Sequence, residues 1–288
     1  MPSPDATLPD RTATPGATGE FAFGDADFQR VRHLIRARAG IHLQDGKHAM
    51  VYSRLARRVR ETGHTCIGAY LRDLENASGP QAHSEWQAFV NCLTTNLTSF
   101  FRENHHFDEL ARALATRSGE ALRIWCTAAS TGEEPYSIAM VAHEVLGAQA
   151  NVQIIATDID TGVLAHARRG VYPIDARGLS EARRRAHCLR GTGANAGSLR
   201  IRPDLARRIE FAGFNLMEAD YRKIGGPFDY VFCRNVMIYF DAAVQRQVLA
   251  RIHATTKPGG WLFVGHSENF TDARGLFRLL GQTIYERL

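Results

Sequence analysis

The chain has 288 residues, of which 44% are hydrophobic and 23% charged, and its net charge is +5. This composition is typical of a folded globular protein and excludes a chain that is disordered throughout, a collagen-like chain and a membrane bundle. No apolar run approaches the roughly 18 to 20 residues that a membrane span needs. Residues 1–20 are rich in Pro, Ala, Thr and Asp without an apolar signal core, so they predict a disordered tail on a cytoplasmic protein.

The cysteine pattern predicts reduced, mostly buried thiols. Five cysteines are scattered along the chain and never form a CxxC pair: Cys66, Cys92, Cys126, Cys188 and Cys233. Such spacing favours neither a disulfide framework nor a zinc site. His105 and His106 are adjacent, and residues one apart on a helix do not face each other. We therefore predict no metal ligands.

Residues 21–93 predict a small all-α domain. Apolar residues recur at helical spacing in four stretches: Phe28, Val31, Leu34 and Ile35; Met50, Val51, Leu55 and Val59; Tyr70, Leu71 and Leu74; Trp86, Phe89, Val90 and Leu93. Gly40 and Gly63 are placed to end the first two helices. The pattern breaks after Thr94 and resumes near Phe107, so residues 94–118 predict a linker segment followed by a helix.

Residues 119–288 predict an α/β domain. Short apolar runs alternate with helical stretches, and the strand candidates are 122–126, 152–157, 209–211, 229–233 and 261–264. Strands that alternate with helices form βαβ units, hence a mostly parallel sheet covered on both faces. Residues 277–286 are predicted to add an antiparallel edge strand. Residues 170–208 are rich in Arg, Gly and Ala and predict an insertion before the third strand.

Basic residues are concentrated near the N-terminus. Nine lie between residues 28 and 60, against a single acid, Asp45: Arg30, Arg32, Arg36, Arg38, Lys47, Arg54, Arg57, Arg58 and Arg60. A basic surface of this density indicates an anionic partner: nucleic acid, an acidic lipid surface or an acidic protein.

The loop after the first predicted strand is acidic where a dinucleotide-binding loop would be rich in glycine. It carries Glu133 and Glu134 and one glycine, Gly132, and its carboxylates would repel a pyrophosphate at the helix N-terminus. Asp158 ends the second strand, where an acid can accept hydrogen bonds from ribose hydroxyls, although a helix cap is an equally good explanation of it alone. Together these acids favour an adenosine ligand with a cationic tail, such as S-adenosyl-L-methionine.

The segment after the fourth predicted strand, residues 233–240, reads CRNVMIYF. Enzymes that methylate exocyclic amines of nucleic acid often carry an Asn-Pro-Pro-Tyr type motif here, and this chain has none. This counts against a base methylase, and we expect no nucleic-acid partner.

Four motifs in this order resemble the CheR family of chemoreceptor glutamate O-methyltransferases: residues 94–103, 130–137, 156–160 and 233–240. The resemblance extends over about residues 21–288. It implies a Rossmann-like methyltransferase domain that binds S-adenosyl-L-methionine, with a small β-subdomain inserted over 170–208, preceded by a small all-α domain.

The resemblance also implies roles for matching residues. Arg102 would lie beside the reacting methyl group. The implied cofactor contacts are Asn96, Thr98, Arg102, Glu133, Asp158, Asn215, Leu216, Asn235 and Val236. The implied substrate contacts are Arg54, Arg57, Arg58, Arg60 and Tyr239. The implied partners are the cytoplasmic methylation helices of chemoreceptors.

Structural explanations remain open for several of these residues. Glu134 is predicted to be a first-turn acid that favours the helix dipole, Asp160 a helix cap, and His266 and Glu268 structural residues. Tyr239 is either a core aromatic or a residue near the substrate. The insertion lacks the aromatic texture expected around a peptide-docking strand, so we do not predict tethering to a receptor's C-terminal pentapeptide.

The predicted reaction is methyl transfer to glutamate side chains. A glutamate has a pKa near 4.3, so at neutral pH it is already the nucleophile, and the protein has only to orient it. A guanidinium such as that of Arg102 can bind one or both carboxylate oxygens. The alternatives are a methyltransferase for another acidic partner and a cofactor-binding module that regulates without catalysis. We expect a monomer without direct membrane insertion.

Overall fold

A computed structural model describes residues 20–268 and 275–288. The predicted disordered tail falls almost entirely on residues 1–19, which lie outside the described residues. None of the helices within the described ranges is long and apolar enough to cross a bilayer.

The first part of the chain forms the predicted helical domain. Its helices are α1 (Asp25–Ala39), α2 (His48–Thr62), α3 (Ile67–Asn76) and α4 (Gly79–Leu93). The apolar faces predicted from the spacing pack into one core that includes Val31, Leu55 and Phe89. Gly40 ends α1 in the left-handed region, and a Cβ there would lie 2.6 Å from Met217 Sδ. This close approach ties the end of α1 to the second domain.

The second part is a seven-stranded sheet with helices on both faces. Within the described residues this part has ten strands, three of which form a separate sheet: β1 (Leu122–Cys126), β2 (Val152–Asp158), β3 (Val171–Pro173), β4 (Cys188–Arg190), β5 (Ser198–Ile201), β6 (Ile209–Gly213), β7 (Phe228–Cys233), β8 (Thr256–Val264), β9 (Phe277–Gly281) and β10 (Ile284–Arg287). The order in the large sheet is β6-β2-β1-β7-β8-β10-β9. The first five are parallel, and β10 and β9 are antiparallel.

The predicted mixed architecture is thus confirmed, but the closing edge consists of two strands instead of one. Gln282 and Thr283 have φ of 48° and 63°, which turns the chain between β9 and β10. Residues 277–286 alternate poorly between apolar and polar positions, which is why periodicity alone did not resolve the hairpin.

Side chains alternate between the two faces of the sheet, as the strand geometry requires. Ile124 and Cys126 lie in the core beneath α5 (His105–Ala115) and α6 (Glu133–Leu146), while Trp125 between them lies in the core beneath α10 (Ala242–Thr255). The other α-helices in the described part of the chain are α7 (Thr161–Arg169), α8 (Glu181–His187) and α9 (Pro203–Ala206). The sheet is therefore buried on both faces and displays its polar loops only at the strand ends.

The insertion forms a small antiparallel sheet, as the resemblance implied. Its strand order is β3-β5-β4, and α8 lies between β3 and β4 in the sequence. The insertion, which we call the inserted subdomain, leaves the main domain after α7 and returns at β6.

The strand order reverses beside β1, and this fixes where a ligand can bind. Cys126, the last residue of β1, pairs with Ala156 on β2 and with Phe232 on β7. The loops that follow these three strands therefore begin side by side, and a crevice opens at such a reversal point.

Candidate active site

A cavity of about 410 Å³ lies at this reversal point. Its floor consists of the loops after β1, β2, β6 and β7, and its roof of the linker, residues 94–104, together with the helical domain. The helical domain contributes Ile41, Leu43, Lys47 and Met50. This size is within the range of pockets that bind small molecules.

Asp158 lies in the cavity wall at the end of β2, where the sequence placed it. Its two carboxylate oxygens accept hydrogen bonds from the backbone N–H groups of Ser130 (2.8 Å) and Asp160 (2.9 Å). The residue is only 7% exposed, and this burial raises the pKa of Asp158 to about 6. A carboxylate fixed in this way is a ready acceptor for ligand hydroxyls.

Asp160 caps α7, as predicted. One carboxylate oxygen accepts from the backbone N–H of Gly162 (2.9 Å) and Val163 (3.2 Å). The other accepts from Thr94 Oγ1 (2.7 Å) and Asn96 Nδ2 (2.9 Å). The cap thus also holds the start of the linker against the sheet domain, and Asn96 lines the cavity from there.

The linker brings Arg102 and Thr98 to the cavity. The Arg102 side chain is about one-third exposed, and its Nη1 donates to the carbonyl of Leu97 (2.8 Å). Phe101 and Glu103 on either side have φ of 51° and 56°, the left-handed region that residues other than glycine seldom adopt. Arg102 therefore enters the cavity from a tightly folded backbone.

Arg234 lies beneath Arg102 and was not singled out from the sequence. Its side chain is fully buried, forms an ion pair with Glu134, and donates to the carbonyl of Arg102. Its Nη2 also lies 3.3 Å from Glu103 Oε2. The signal that could have found it is its position directly after a fully buried strand, where a charge has to be paired.

Of the two acids of the first loop, Glu134 has a larger role than predicted. Glu134, expected to serve only as a first-turn acid, lines the cavity and pairs with Arg234. Glu133, the implied cofactor contact, is not among the residues that line the cavity, and its carboxylate accepts from Thr131 Oγ1 (2.6 Å). The predicted contact of Glu133 with a cofactor stays a prediction.

Glu268 fixes the loop after β7, which confirms its predicted structural role. Its buried carboxylate accepts backbone N–H bonds from Gly265 (2.6 Å), Asn235 (2.8 Å), Met237 (2.8 Å) and Ile238 (3.3 Å). Asn235 has φ of 57°, so this loop is also held in an unusual conformation. Asn235 and Val236 line the cavity from it.

The predicted pair after β6 also reaches the cavity. Asn215 and Leu216 line it, and Asn215 Nδ2 donates to the carbonyl of Arg38 in the helical domain (2.8 Å). Tyr239 lies at the edge of the cavity, and its predicted contact with a substrate stays a prediction. It is half-buried against the core of the helical domain and lines the cavity, and its carbonyl accepts from the N–H of His42 (2.7 Å).

The four arginines of α2 do not share one environment. Arg54 donates to the carbonyls of Leu93 (3.0 Å) and Thr94 (2.6 Å), and Arg58 pairs with Glu85. These two lie four residues apart on the side of α2 that packs against α4, so they brace the domain.

Arg57 and Arg60 lie on the solvent side of α2, with 80% and 55% of their side chains exposed, and they pair with Glu61 and Glu20. Arg54 and Arg58 therefore already have partners inside the helical domain, and the contact of the four arginines with a substrate stays a prediction.

The cavity suits an adenosine ligand with a cationic tail. Leu216 and Val236 provide apolar walls, and the carboxylates of Asp158 and Glu134 provide acceptors and negative charge. This donor set fits S-adenosyl-L-methionine. It does not suit a pyrophosphate, since the helix that begins after the first loop carries two acids in its first turn.

Comparison with known families agrees with this fit. Residues 96–286 match the family model "CheR methyltransferase, SAM binding domain", and residues 26–94 match "CheR methyltransferase, all-alpha domain". The protein is thus a methyltransferase whose cofactor is S-adenosyl-L-methionine.

Individual relatives cover nearly the whole chain. A chemotaxis protein methyltransferase of Escherichia coli (strain K12) is 50% identical over 270 residues, which is 93% of each chain. Chemotaxis protein methyltransferase 2 of Pseudomonas aeruginosa is 47% identical over 95% of this chain and 98% of its own. The chain belongs to the CheR methyltransferase family.

Among solved structures, the glycopeptide N-methyltransferase MtfA complexed with sinefungin matches 65% of this chain and 61% of its own, at 16% identity and a TM-score of 0.34.

Proposed function

We propose that the protein transfers the methyl group of S-adenosyl-L-methionine to glutamate side chains of chemoreceptors, giving glutamate methyl esters in chemotaxis. The observation that carries the proposal is Arg102, a partly exposed guanidinium in the cavity wall on a backbone held from beneath by Arg234. The relatives are named chemotaxis protein methyltransferases, which supports a substrate in chemotaxis.

The chemistry asks little of the protein beyond positioning. S-adenosyl-L-methionine supplies an electrophilic methyl group on a sulfonium leaving group. The substrate carboxylate is already ionised at neutral pH, so no general base is needed. Arg102 binds one carboxylate oxygen and orients the other, and well-oriented reactants can recover about 7 to 11 kcal/mol of the barrier. Lys47, which lines the cavity from the helical domain, adds a second cation that attracts an acidic side chain.

The mouth of the cavity also suits a protein substrate. Leu97 and Ile238 line it and remain 77% and 49% exposed, which gives a partner helix two apolar contacts. Arg57 and Arg60 on α2 are available to acidic side chains of the same partner. We therefore propose that the cytoplasmic methylation helices of chemoreceptors dock across this face of a monomeric, cytoplasmic enzyme. Nucleic acid is not proposed as a partner.

The proposal is tested by incubating the protein with methyl-labelled S-adenosyl-L-methionine and cytoplasmic fragments of a chemoreceptor. Glutamate methyl esters release labelled methanol in base, so base-volatile label is the expected product. Fragments whose methylation-site glutamates are replaced by alanine serve as the control and should release none. Label that is stable to base would show a product other than a carboxyl methyl ester, and label retained on the alanine fragments would place methylation at other residues; either result would contradict the proposal.

Arg102→Ala separates catalysis from mere cofactor binding. We expect kcat to fall about a hundredfold or more because the carboxylate is no longer oriented, while the Kd of S-adenosylhomocysteine changes only a few-fold. Arg112→Ala is the matched control, since Arg112 is 72% exposed on α5 and pairs with Glu109. If Arg102→Ala turns over like wild type, Arg102 has no catalytic role and the regulatory-module alternative gains support.

A further inference from the structure

Arg102 lies between two residues in the left-handed backbone region, Phe101 and Glu103. Such conformations persist only where the surrounding structure holds them. Glu103 is held from the sheet domain: its carboxylate accepts from the backbone N–H of His266 (3.1 Å) and from Asn235 Nδ2 (3.3 Å).

Phe101 is held partly from the sheet domain, since its N–H donates to Ser137 Oγ of α6 (3.0 Å) and its ring meets Phe107 of α5, with centroids 5.1 Å apart. Its other contacts come from the inserted subdomain.

The inserted subdomain packs against the other side of the linker. The N–H of Phe100 donates to the carbonyl of Arg177 (3.1 Å), and the Phe100 ring meets Tyr172 of β3 edge to face, with centroids 4.9 Å apart. Gly178 has φ of 85°, and a Cβ on it would lie 1.9 Å from the carbonyl oxygen of Phe100. The two backbones therefore touch directly at this point.

Arg183 on α8 makes the contact with Phe101 itself. Its guanidinium carbon lies 3.7 Å from the centroid of the Phe101 ring. Its Nε and Nη2 both donate to the carboxylate of Glu144 on α6, each at 2.9 Å. His187 Nε2 lies 2.9 Å from the same carboxylate. The guanidinium is thus fixed by two parallel hydrogen bonds while its face covers the aromatic ring, an arrangement that arginine makes fully and lysine only in part.

Glu144 is ionised at neutral pH. Burial alone would raise its pKa, but hydrogen bonds from His187 and Arg183 lower the pKa of Glu144 to about 2. The fork between Glu144 and Arg183 is therefore charged on both sides.

We propose that Arg183 is a positioning residue for methyl transfer: clamped by Glu144, it holds Phe101 and thereby the backbone from which Arg102 enters the cavity. The inserted subdomain then supports the active site from the side opposite the sheet. Tyr172 of the inserted subdomain also contacts the loop after β1, because its hydroxyl donates to the carbonyl of Thr131 (2.7 Å). The catalytic part of this inference rests on the proposed function.

The test compares Arg183→Ala and Arg183→Lys with Arg185→Ala. Arg185 lies on the same helix, is 79% exposed and pairs with Glu181 of that helix, so it is a matched control. We expect Arg183→Ala to lower kcat about tenfold, because a misplacement of about 1 Å can cost about a hundredfold and the loss of one supporting contact should shift Arg102 by less. The KM for S-adenosyl-L-methionine should stay within about twofold, because Arg183 does not line the cavity. Arg183→Lys should recover part of the loss and Arg185→Ala should match wild type.

Amide hydrogen exchange supplies a readout that needs no substrate. The N–H groups of Phe100 and Phe101 are bonded to Arg177 and to Ser137 Oγ, so their exchange reports on how the linker is held. With S-adenosylhomocysteine bound, these two amides should exchange about tenfold faster in Arg183→Ala than in Arg185→Ala.

The two readouts separate the possible failures. Equal exchange and equal kcat per S-adenosylhomocysteine-binding site in Arg183→Ala and Arg185→Ala would overturn the positioning role, even if the first variant melts at a lower temperature. If the wild type methylates no receptor fragment, the proposed function fails, while the exchange comparison still decides whether Arg183 holds the linker.

Discussion

Two groups of arginines in this protein differ in what surrounds them. Arg234 lies at the end of a buried strand with its side chain fully out of contact with water, between Glu103 and Glu134. Arg57 and Arg60 project from α2 into solvent and pair there with single acids. The first kind of arginine has a fixed geometry because removing any partner leaves a buried charge uncompensated. The second kind is screened by water and ions and can exchange its partners at little cost.

Burial therefore distinguishes the charges that hold the site together from the charges that are available to a partner. The buried network holds the backbone of Arg102 and the first turn of α6 in place. The exposed arginines determine little of the fold and are therefore available to a partner. Arg54 and Arg58 fall between the two kinds: they are partly buried and bond to α4 and the start of the linker, although the sequence placed them with the exposed arginines.

Arg234→Met should have the largest effect, because it leaves Glu103 and Glu134 buried without their counterion. We expect the free energy of unfolding to fall by about 3 to 5 kcal/mol. Chemical denaturation of the cofactor-free protein measures it. Arg112 is exposed and pairs with Glu109, so the free energy of unfolding of Arg112→Met should stay close to that of the wild type. Similar values for the two variants would show that burial does not govern these ion pairs.

A smaller effect concerns Asp158, the other buried charge of the cavity wall. Its pKa is raised to about 6, so its ionised form dominates at pH 7.5 and is lost as the pH falls below 6. Only the ionised form offers both oxygens as acceptors to ligand hydroxyls. Titration calorimetry should therefore show the affinity for S-adenosylhomocysteine constant above about pH 7 and falling below pH 6, by up to about tenfold per pH unit.

Asp158→Asn is the control for this titration. The variant should bind more weakly at neutral pH and lose the dependence between pH 5 and pH 7. An unchanged pH profile in Asp158→Asn would assign the titration to another group.

The smallest effect is expected for the exposed pair. Arg57→Ala combined with Arg60→Ala should leave the melting temperature within about 2 °C of wild type, since exposed ion pairs contribute little. The KM for receptor fragments should rise several-fold at low ionic strength, with kcat unchanged, and the difference should shrink as salt is added. Arg112→Ala is the control variant, and its KM for receptor fragments should equal that of the wild type at every salt concentration. A salt-independent KM would remove α2 from the proposed docking face.

The sequence predicted most of the sheet because burial on both faces leaves continuous apolar runs, as in β1, β2 and β7. It predicted the cap at Asp160 because a side chain that bonds the next N–H groups acts locally. It did not find Arg234, whose partners lie on the linker and on α6, far away in the sequence. It also misjudged Glu134 for the same reason.

What the sequence determined by itself is therefore everything that short-range periodicity and local hydrogen bonding encode: the helical first domain, the alternating second domain, the insertion and the motifs at the strand ends. The tertiary structure alone decided which charges are buried together and which remain in water. It placed Arg54 and Arg58 against α4, joined Glu134 to Arg234, and packed Arg183 on Phe101. These contacts depend on the free energy of burying a charge. That free energy is set by the surroundings of the side chain, and the surroundings are known only once residues far apart in the sequence have packed together.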